Sequence, residues 1–232
     1  MTPNSNAPLA KPKCVLLDVY ETLLDMNDVQ QRVNSYLNSS KGYRIWFELF
    51  MQYCFVCNST NQYRPFADIA KATMTLTANM LGVQLPEHKQ EEVLWLLKHL
   101  PLKAGVQEAL SLLSDEGYEL AALTNTPWST VGERMEPTGL ISYFDFVMTA
   151  EELKKYKPAI EVYEKAVQKT GFAAHEVLMV SSHNWDLIGA NAAGLQTAYV
   201  GKPKLFYALS PIPNYNALDV LELATQLQLL KV

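Results

Sequence analysis

The stretch Lys13-Cys-Val-Leu-Leu-Asp-Val-Tyr-Glu-Thr-Leu-Leu24 limits what this chain can fold into more than any other, because an unbroken apolar run ends in the carboxylate of Asp18. Apolar residues without polar alternation make a strand buried on both faces, as in a parallel sheet covered by helices. Such a strand delivers the residue that ends it to the carboxyl edge of the sheet, where open α/β sheets hold their ligands. Other strand-like runs should then finish at the same place. Ala121-Ala-Leu-Thr-Asn125 ends in Thr124 and Asn125, Val177-Leu-Met-Val-Ser-Ser182 ends in two hydroxyls, and Lys157-Pro158 opens a helix after a further strand. Asp18 is the candidate nucleophile of this set.

From Met26 to Leu97 the character changes to helical patterns broken at Ser39 to Gly42, Asn58 to Asn61 and Gly82 to Pro86, with no strand-like run. In this stretch Tyr43, Trp46, Phe47 and Phe50 recur at spacings of three and four, an apolar helical stripe that either packs on the core or a second subunit, or faces substrate. The α/β rhythm resumes after Pro101. Strands are expected at Glu119 to Asn125, Phe144 to Thr149, Val177 to Ser182 and Gln196 to Val200. Helices are expected to Leu113, from near Pro127, over Ala159 to Thr170 and over Asp186 to Ala193. Tyr207 to Pro213 reads as loop, and Ala217 to Leu230 as a closing helix. The expected fold class is α/β: a three-layer, Rossmann-like core with a parallel sheet, residues 1–25 and 98–232, and an inserted α-helical cap domain, residues 26–97.

A chain of 232 residues with 49% hydrophobic content suits such a core with a modest insertion. A net charge of -5 and the lack of any basic run argue against nucleic acid or an anionic membrane and for a small molecule as partner. The polar, Pro-rich start is unlike a signal peptide, and the expected location is the cytoplasm. Cys54 and Cys57 form a C-x-x-C within an aromatic helical stretch, without the preceding strand or second ligand pair that a redox or zinc site requires. Cys14 lies within the first strand and reads as a small hydrophobe.

Asp18-Val-Tyr-Glu-Thr22, Leu123-Thr-Asn125, Tyr156-Lys-Pro158 with Tyr163, and Val180-Ser-Ser-His-Asn-Trp-Asp186 resemble, in order, the four motifs of the haloacid dehalogenase superfamily. Within it the chain is similar to the type II 2-haloacid dehalogenases, which share the forms D-x-Y-x-T, K-P-x4-Y and S-S-x-x-W-D. The resemblance implies catalysis by Asp18, Thr22, Lys157, Ser181 and Asp186. It also implies a substrate pocket built from Val19, Tyr20, Thr124, Asn125, Tyr163, His183 and Trp185. The type II pattern places an arginine where this chain has Phe47, and an asparagine where it has His183. A replacement cation would come from Arg44, one helical turn before Phe47, or from His183.

An aspartate splits one hard hydrolysis into two steps by forming an ester and then releasing it to water. Thr22 and Lys157 would hold and neutralise it, and Thr124 and Asn125 would bind substrate oxygens or the departing halide unless they cap the next helix. Asp186 would orient water or tether Lys157, its other reading being a helix cap. Tyr20 stands where phosphatases of the superfamily carry a second aspartate to protonate the leaving alkoxide. Halide needs no proton. The expected activity is therefore hydrolysis of a short-chain 2-haloacid to the 2-hydroxyacid, of the (S)-2-haloacid dehalogenase type and without a cofactor or metal. One alternative is a Mg²⁺-dependent phosphatase on a small phosphorylated metabolite, with Asp18 and Asp186 facing the metal. Another is a binding protein that keeps the site without turnover. Dimers are common in the family that the chain resembles, and the aromatic stripe offers a surface for a homodimer.

Overall fold

The computed structural model describes residues 10–202 and 210–230. Strand β1 (Cys14–Leu17) is followed by four helices, α1 (Asn27–Tyr36), α2 (Gly42–Thr60), α3 (Phe66–Met80) and α4 (Glu87–Leu97). The chain then returns through α5 (Val106–Asp115), β2 (Glu119–Thr124), α6 (Trp128–Met135), β3 (Phe146–Thr149), α7 (Ile160–Thr170) and β4 (Val177–Ser181). It closes with α8 (Asn184–Ala192), β5 (Gln196–Val200), β6 (Tyr215–Ala217) and α9 (Val220–Gln228).

The six strands form one parallel sheet in the order β3-β2-β1-β4-β5-β6. Alternation along β1 sorts the core into two layers. Val15 and Leu17 pack with α5 and α9 on one face, while Cys14 and Leu16 pack with α7 and α8 on the other. All four are fully buried, and truncating such a leucine to alanine costs about 2–5 kcal/mol. Leu17 pairs in register with Ala122 of β2 and Val180 of β4, so the chain leaves β1 with a neighbour on either side. That is the switch point at which a parallel sheet opens a crevice beyond its carboxyl edge. The residues ending β1, β2 and β4 are therefore gathered there by the register itself.

Helices α1 to α4 pack on one another, and their apolar side chains join the same core cluster. The stripe on α2 buries Tyr43, Trp46, Phe50, Met51 and Cys54. Trp46 donates its indole N–H to the Ala70 carbonyl of α3 at 3.1 Å, and Phe50 meets Phe66 edge-on at 4.9 Å. The helix stops at Asn61, which takes the left-handed conformation (φ 54°) that turns backbone N–H groups back onto the carbonyls of Cys57 and Asn58. None of the described helices is long and apolar enough to cross a membrane. The Cys54 thiol is buried, and burial raises its pKa, which leaves it a packing residue.

The structure corrects two local expectations. Pro158 does not open α7, which starts at Ile160; the Ala159 N–H turns back to the Tyr156 carbonyl at 2.9 Å, and Lys157-Pro158 is a cis peptide in that turn. Ala217 is the last residue of β6 instead of the first of a helix, because its strand pairs with Val200, and α9 begins beyond the Asp219 cap. A three-residue edge strand with only Ala217 buried carries too little alternation to be read from sequence. Of the expected loop 207–213, residues 207–209 lie outside the described residues.

Candidate active site

Asp18 follows β1 and donates its backbone N–H to Val180 of β4 at 2.9 Å, which extends the ladder by one residue and fixes the carboxylate above the sheet edge. The chain then doubles back. The N–H groups of Leu23 and Leu24 both bond the Val19 carbonyl, at 2.9 and 3.0 Å, and Glu21 sits in the left-handed region at φ 63°. A non-glycine residue there costs about 1–3 kcal/mol, which surrounding contacts must hold. The turn brings Thr22 onto Asp18, with its hydroxyl donating to Oδ2 at 2.7 Å and accepting the Ser182 N–H at 3.0 Å.

Lys157 is 1% exposed, and its ammonium lies between two carboxylates, 2.7 Å from Asp18 Oδ1 and 2.8 Å from Asp186 Oδ2. The Leu123 carbonyl at 3.1 Å takes its third N–H, so all three donors are used. Burial works against the charged lysine, but the charges of Asp18 and Asp186 and the hydrogen bonds to them outweigh it, and its pKa is raised. Asp186, fully buried, accepts from Tyr163 at 2.5 Å on its other oxygen. Burial, and then the Asp186 charge, push the Tyr163 hydroxyl well up, so it stays a neutral donor. Asp186 thus tethers Lys157 from the first turn of α8 instead of capping the helix.

Above Asp18 a small cavity of about 60 Å³ opens between the sheet edge and the helical insertion. Asp18, Thr124, Asn125 and Lys157 form its floor, while Trp46, Phe47, Phe50, Met51 and Phe66 of α2 and α3 line it from the insertion. Tyr20, Met26, Leu97, Thr126, His183 and Trp185 complete the lining. Tyr20 donates its hydroxyl to the Leu97 carbonyl at 3.0 Å, and burial raises its pKa. It has no proton to exchange near neutrality. His183 is sandwiched between Phe47 and Trp185, with ring centroids at 5.7 and 5.1 Å, and its Nε2 lies 3.2 Å from Glu21 Oε2. The other oxygen of Glu21 accepts from Tyr43 of α2 at 2.8 Å.

Several expected site residues therefore meet at one point, and others do not. Arg44 points away: it pairs with Glu48 at 2.8 Å, and its side chain is 79% exposed. One helical turn from Phe47 is the same face only approximately, and α2 turns that position outward. Val19 is fully buried in the core and contributes its carbonyl to the turn, not a pocket wall. Tyr163 and Ser181 lie behind the floor, and Ser181 accepts the His183 N–H at 3.1 Å. Asn125 lines the cavity, but its amide is engaged by the Lys157 backbone, accepting from N–H at 2.7 Å and donating to the carbonyl at 3.4 Å. Thr124 accepts the Thr126 N–H at 3.1 Å in a local turn and does not cap α6, which begins at Trp128. Glu21, Met26, Phe66, Leu97 and Thr126 were not legible as site residues. Their only local signal is a position next to a motif residue or in an amphipathic helix.

A metal between Asp18 and Asp186 would have to take the place of the Lys157 ammonium, and both carboxylates have their remaining partners in Thr22 and Tyr163. The donor set does not fit a resident divalent cation. Among the described residues no group of three or more His, Cys, Asp or Glu side chains gathers as a metal site.

Comparison with known proteins places the fold and the family. An (S)-2-haloacid dehalogenase of Pseudomonas sp. (strain YL) is 26% identical over 207 residues, 88% of this chain and 89% of that protein. A solved L-2-haloacid dehalogenase superimposes with a TM-score of 0.88 at 24% identity, covering 94% of this chain and all of the other. That of Xanthobacter autotrophicus gives 0.84 at 19% identity over 95% of this chain and 100% of its own. The family model for haloacid dehalogenase-like hydrolases matches residues 15–200, from within β1 to the end of β5 and across every residue of the floor described above, and the chain belongs to that family.

Proposed function

We propose that the protein hydrolyses the carbon–halogen bond of a short-chain 2-haloacid through an ester on Asp18, without metal or cofactor. The observation that carries this reading is the Lys157 ammonium, held between Asp18 and Asp186, which supplies a fixed positive charge beside the nucleophile. In the first step an Asp18 oxygen attacks C2 of the acid, the C2–halogen bond breaks, and the halide leaves with the electron pair. In the second, water adds to the carboxyl carbon of Asp18, the C2 oxygen departs with the 2-hydroxyacid, and a proton passes to solvent. The Asp18 oxygen that does not attack keeps its donor, Lys157 or Thr22, so charge developing on it in the second step meets a preorganised partner. Aromatic and apolar walls around the cavity exclude bulk water and suit a short alkyl chain. The relatives named above support the halogen; the neutral, half-buried Tyr20 supports a leaving group that needs no proton.

The test is single turnover of 2-bromopropionate in ¹⁸O-water with halide release followed in parallel. Label is expected in the Asp18 carboxylate first, release should survive a chelator, and a protein verified as Asp18→Asn should release nothing. Label found only in the hydroxyacid would refute the ester. Chelator-sensitive phosphate release restored by Mg²⁺ would move the assignment to a phosphatase.

A further inference from the structure

Asn58 reads as a turn residue in Cys57-Asn-Ser-Thr-Asn61, yet it occupies the last turn of α2 and bonds backbone 98 positions further on. Its Oδ1 accepts the Tyr156 N–H at 2.9 Å, and its Nδ2 donates to the Tyr156 carbonyl at 2.7 Å. An asparagine placed this way imitates a neighbouring strand. The next residue is Lys157, whose N–H and carbonyl are held in the same manner by Asn125 from the loop after β2. Every polar backbone group of Tyr156-Lys157 is thus bonded by one of two amide side chains, one carried by the helical insertion and one by the sheet. Tyr156 is gripped further by the same corner of the insertion, donating its hydroxyl to the Arg64 carbonyl at 2.7 Å and stacking on Tyr63 at 5.5 Å.

The side chain leaving this doubly held backbone is the one whose ammonium sits on Asp18. We infer that Asn58 is a positioning residue for Lys157: by clamping Tyr156 it makes the seating of α2 a condition for the ammonium to lie between Asp18 and Asp186. The kinetic consequence rests on the dehalogenase reading. Displacing a charged partner by about 1 Å costs up to roughly 100-fold in rate while leaving substrate affinity untouched. Asn58 does not itself line the cavity, so its bonds reach the site through the backbone that carries Lys157.

The experiment compares Asn58→Leu, which removes both bonds, and Asn58→Asp, which keeps the acceptor alone, with Ser59→Ala, whose hydroxyl bonds only the Phe55 carbonyl of its own helix. Active sites are counted by the Asp18 adduct, and Lys157 is probed in the folded proteins by amine acylation read by mass spectrometry. Asn58→Leu is expected to lower kcat per active site about 10- to 100-fold with KM within about twofold, and to expose Lys157 to acylation. Asn58→Asp should fall between it and wild type, and Ser59→Ala should match wild type. If Asn58→Leu does not fold, Asn58→Asp carries both measurements. Wild-type kcat per active site with Lys157 still protected, whatever the change in Tm, would overturn the inference and leave Asn58 a structural staple. Should wild type release no halide from any 2-haloacid, the dehalogenase reading fails, while acylation of Lys157 still decides the role of Asn58.

Discussion

Replacing Lys157 by methionine keeps the length and apolar stem of the side chain and removes one charge from the most buried ionic group of the protein. Asp186 is fully buried, Asp18 is 5% exposed, and the lysine nitrogen is within 2.8 Å of both. Without it two carboxylates face each other across a buried gap with Thr22 and Tyr163 as their remaining side-chain partners. Breaking a buried ion pair from one side costs about 3–5 kcal/mol, because the cost is the uncompensated charge left behind. For a chain of this size that corresponds to a fall in Tm of roughly 6–20 °C. Urea unfolding followed by the fluorescence of the four tryptophans measures it directly. A second replacement, Asp186→Asn in the Lys157→Met background, should recover part of the loss, since it removes one of the two opposed charges. kcat should drop by two to three orders of magnitude in the single variant. A stability change under about 1 kcal/mol, or strictly additive effects in the pair, would show that the ammonium is not the keystone described here.

The same lysine sets an alkaline limit. Its folded pKa is raised, so its contribution is complete below the ordinary value of 10.5 and is lost as pH rises through the folded value; unfolding free energy should fall more steeply above pH of about 10.5 in wild type than in Lys157→Met. At Gly189 an added Cβ would lie 2.6 Å from Pro158 Cβ and from Tyr163 Cε2 and 2.9 Å from the Pro158 carbonyl. Gly189→Ala should therefore push α8 off the Lys157 turn, costing roughly 1–3 kcal/mol by urea unfolding and lowering kcat, despite the better helix propensity of alanine. Arg44→Ala should leave KM for 2-bromopropionate within about twofold, whereas His183→Ala should raise it about tenfold, in line with loss of one hydrogen bond to a charged group. Equal effects of the two would contradict the outward placement of Arg44.

Taken alone, the sequence determined five strands of the sheet, most of the helices and the residues that end those strands. The reason is local: an unbroken apolar run is buried on both faces wherever it sits, and once strands are parallel their last residues share an edge. Asp18 was legible for that reason, whereas Thr22, Lys157 and Asp186 were legible only through the resemblance of their motifs to the haloacid dehalogenase superfamily; the fold brings Lys157 onto Asp18 across 139 positions. Tertiary structure decided what periodicity cannot encode. Whether position 44 looks into the cavity depends on how α2 is rotated against the core, and the packing of Trp46 on Ala70 and of Phe50 on Phe66 sets that rotation. The partners of Glu21, the amide of Asn125 and the reach of Asn58 to Tyr156 are pairings between distant segments, for which no spacing rule exists. Strand β6 needed β5 beside it to be a strand at all. Short-range chemistry is written in the order of residues; the choice of long-range partner arises only when the core has closed and each buried polar group must find a mate.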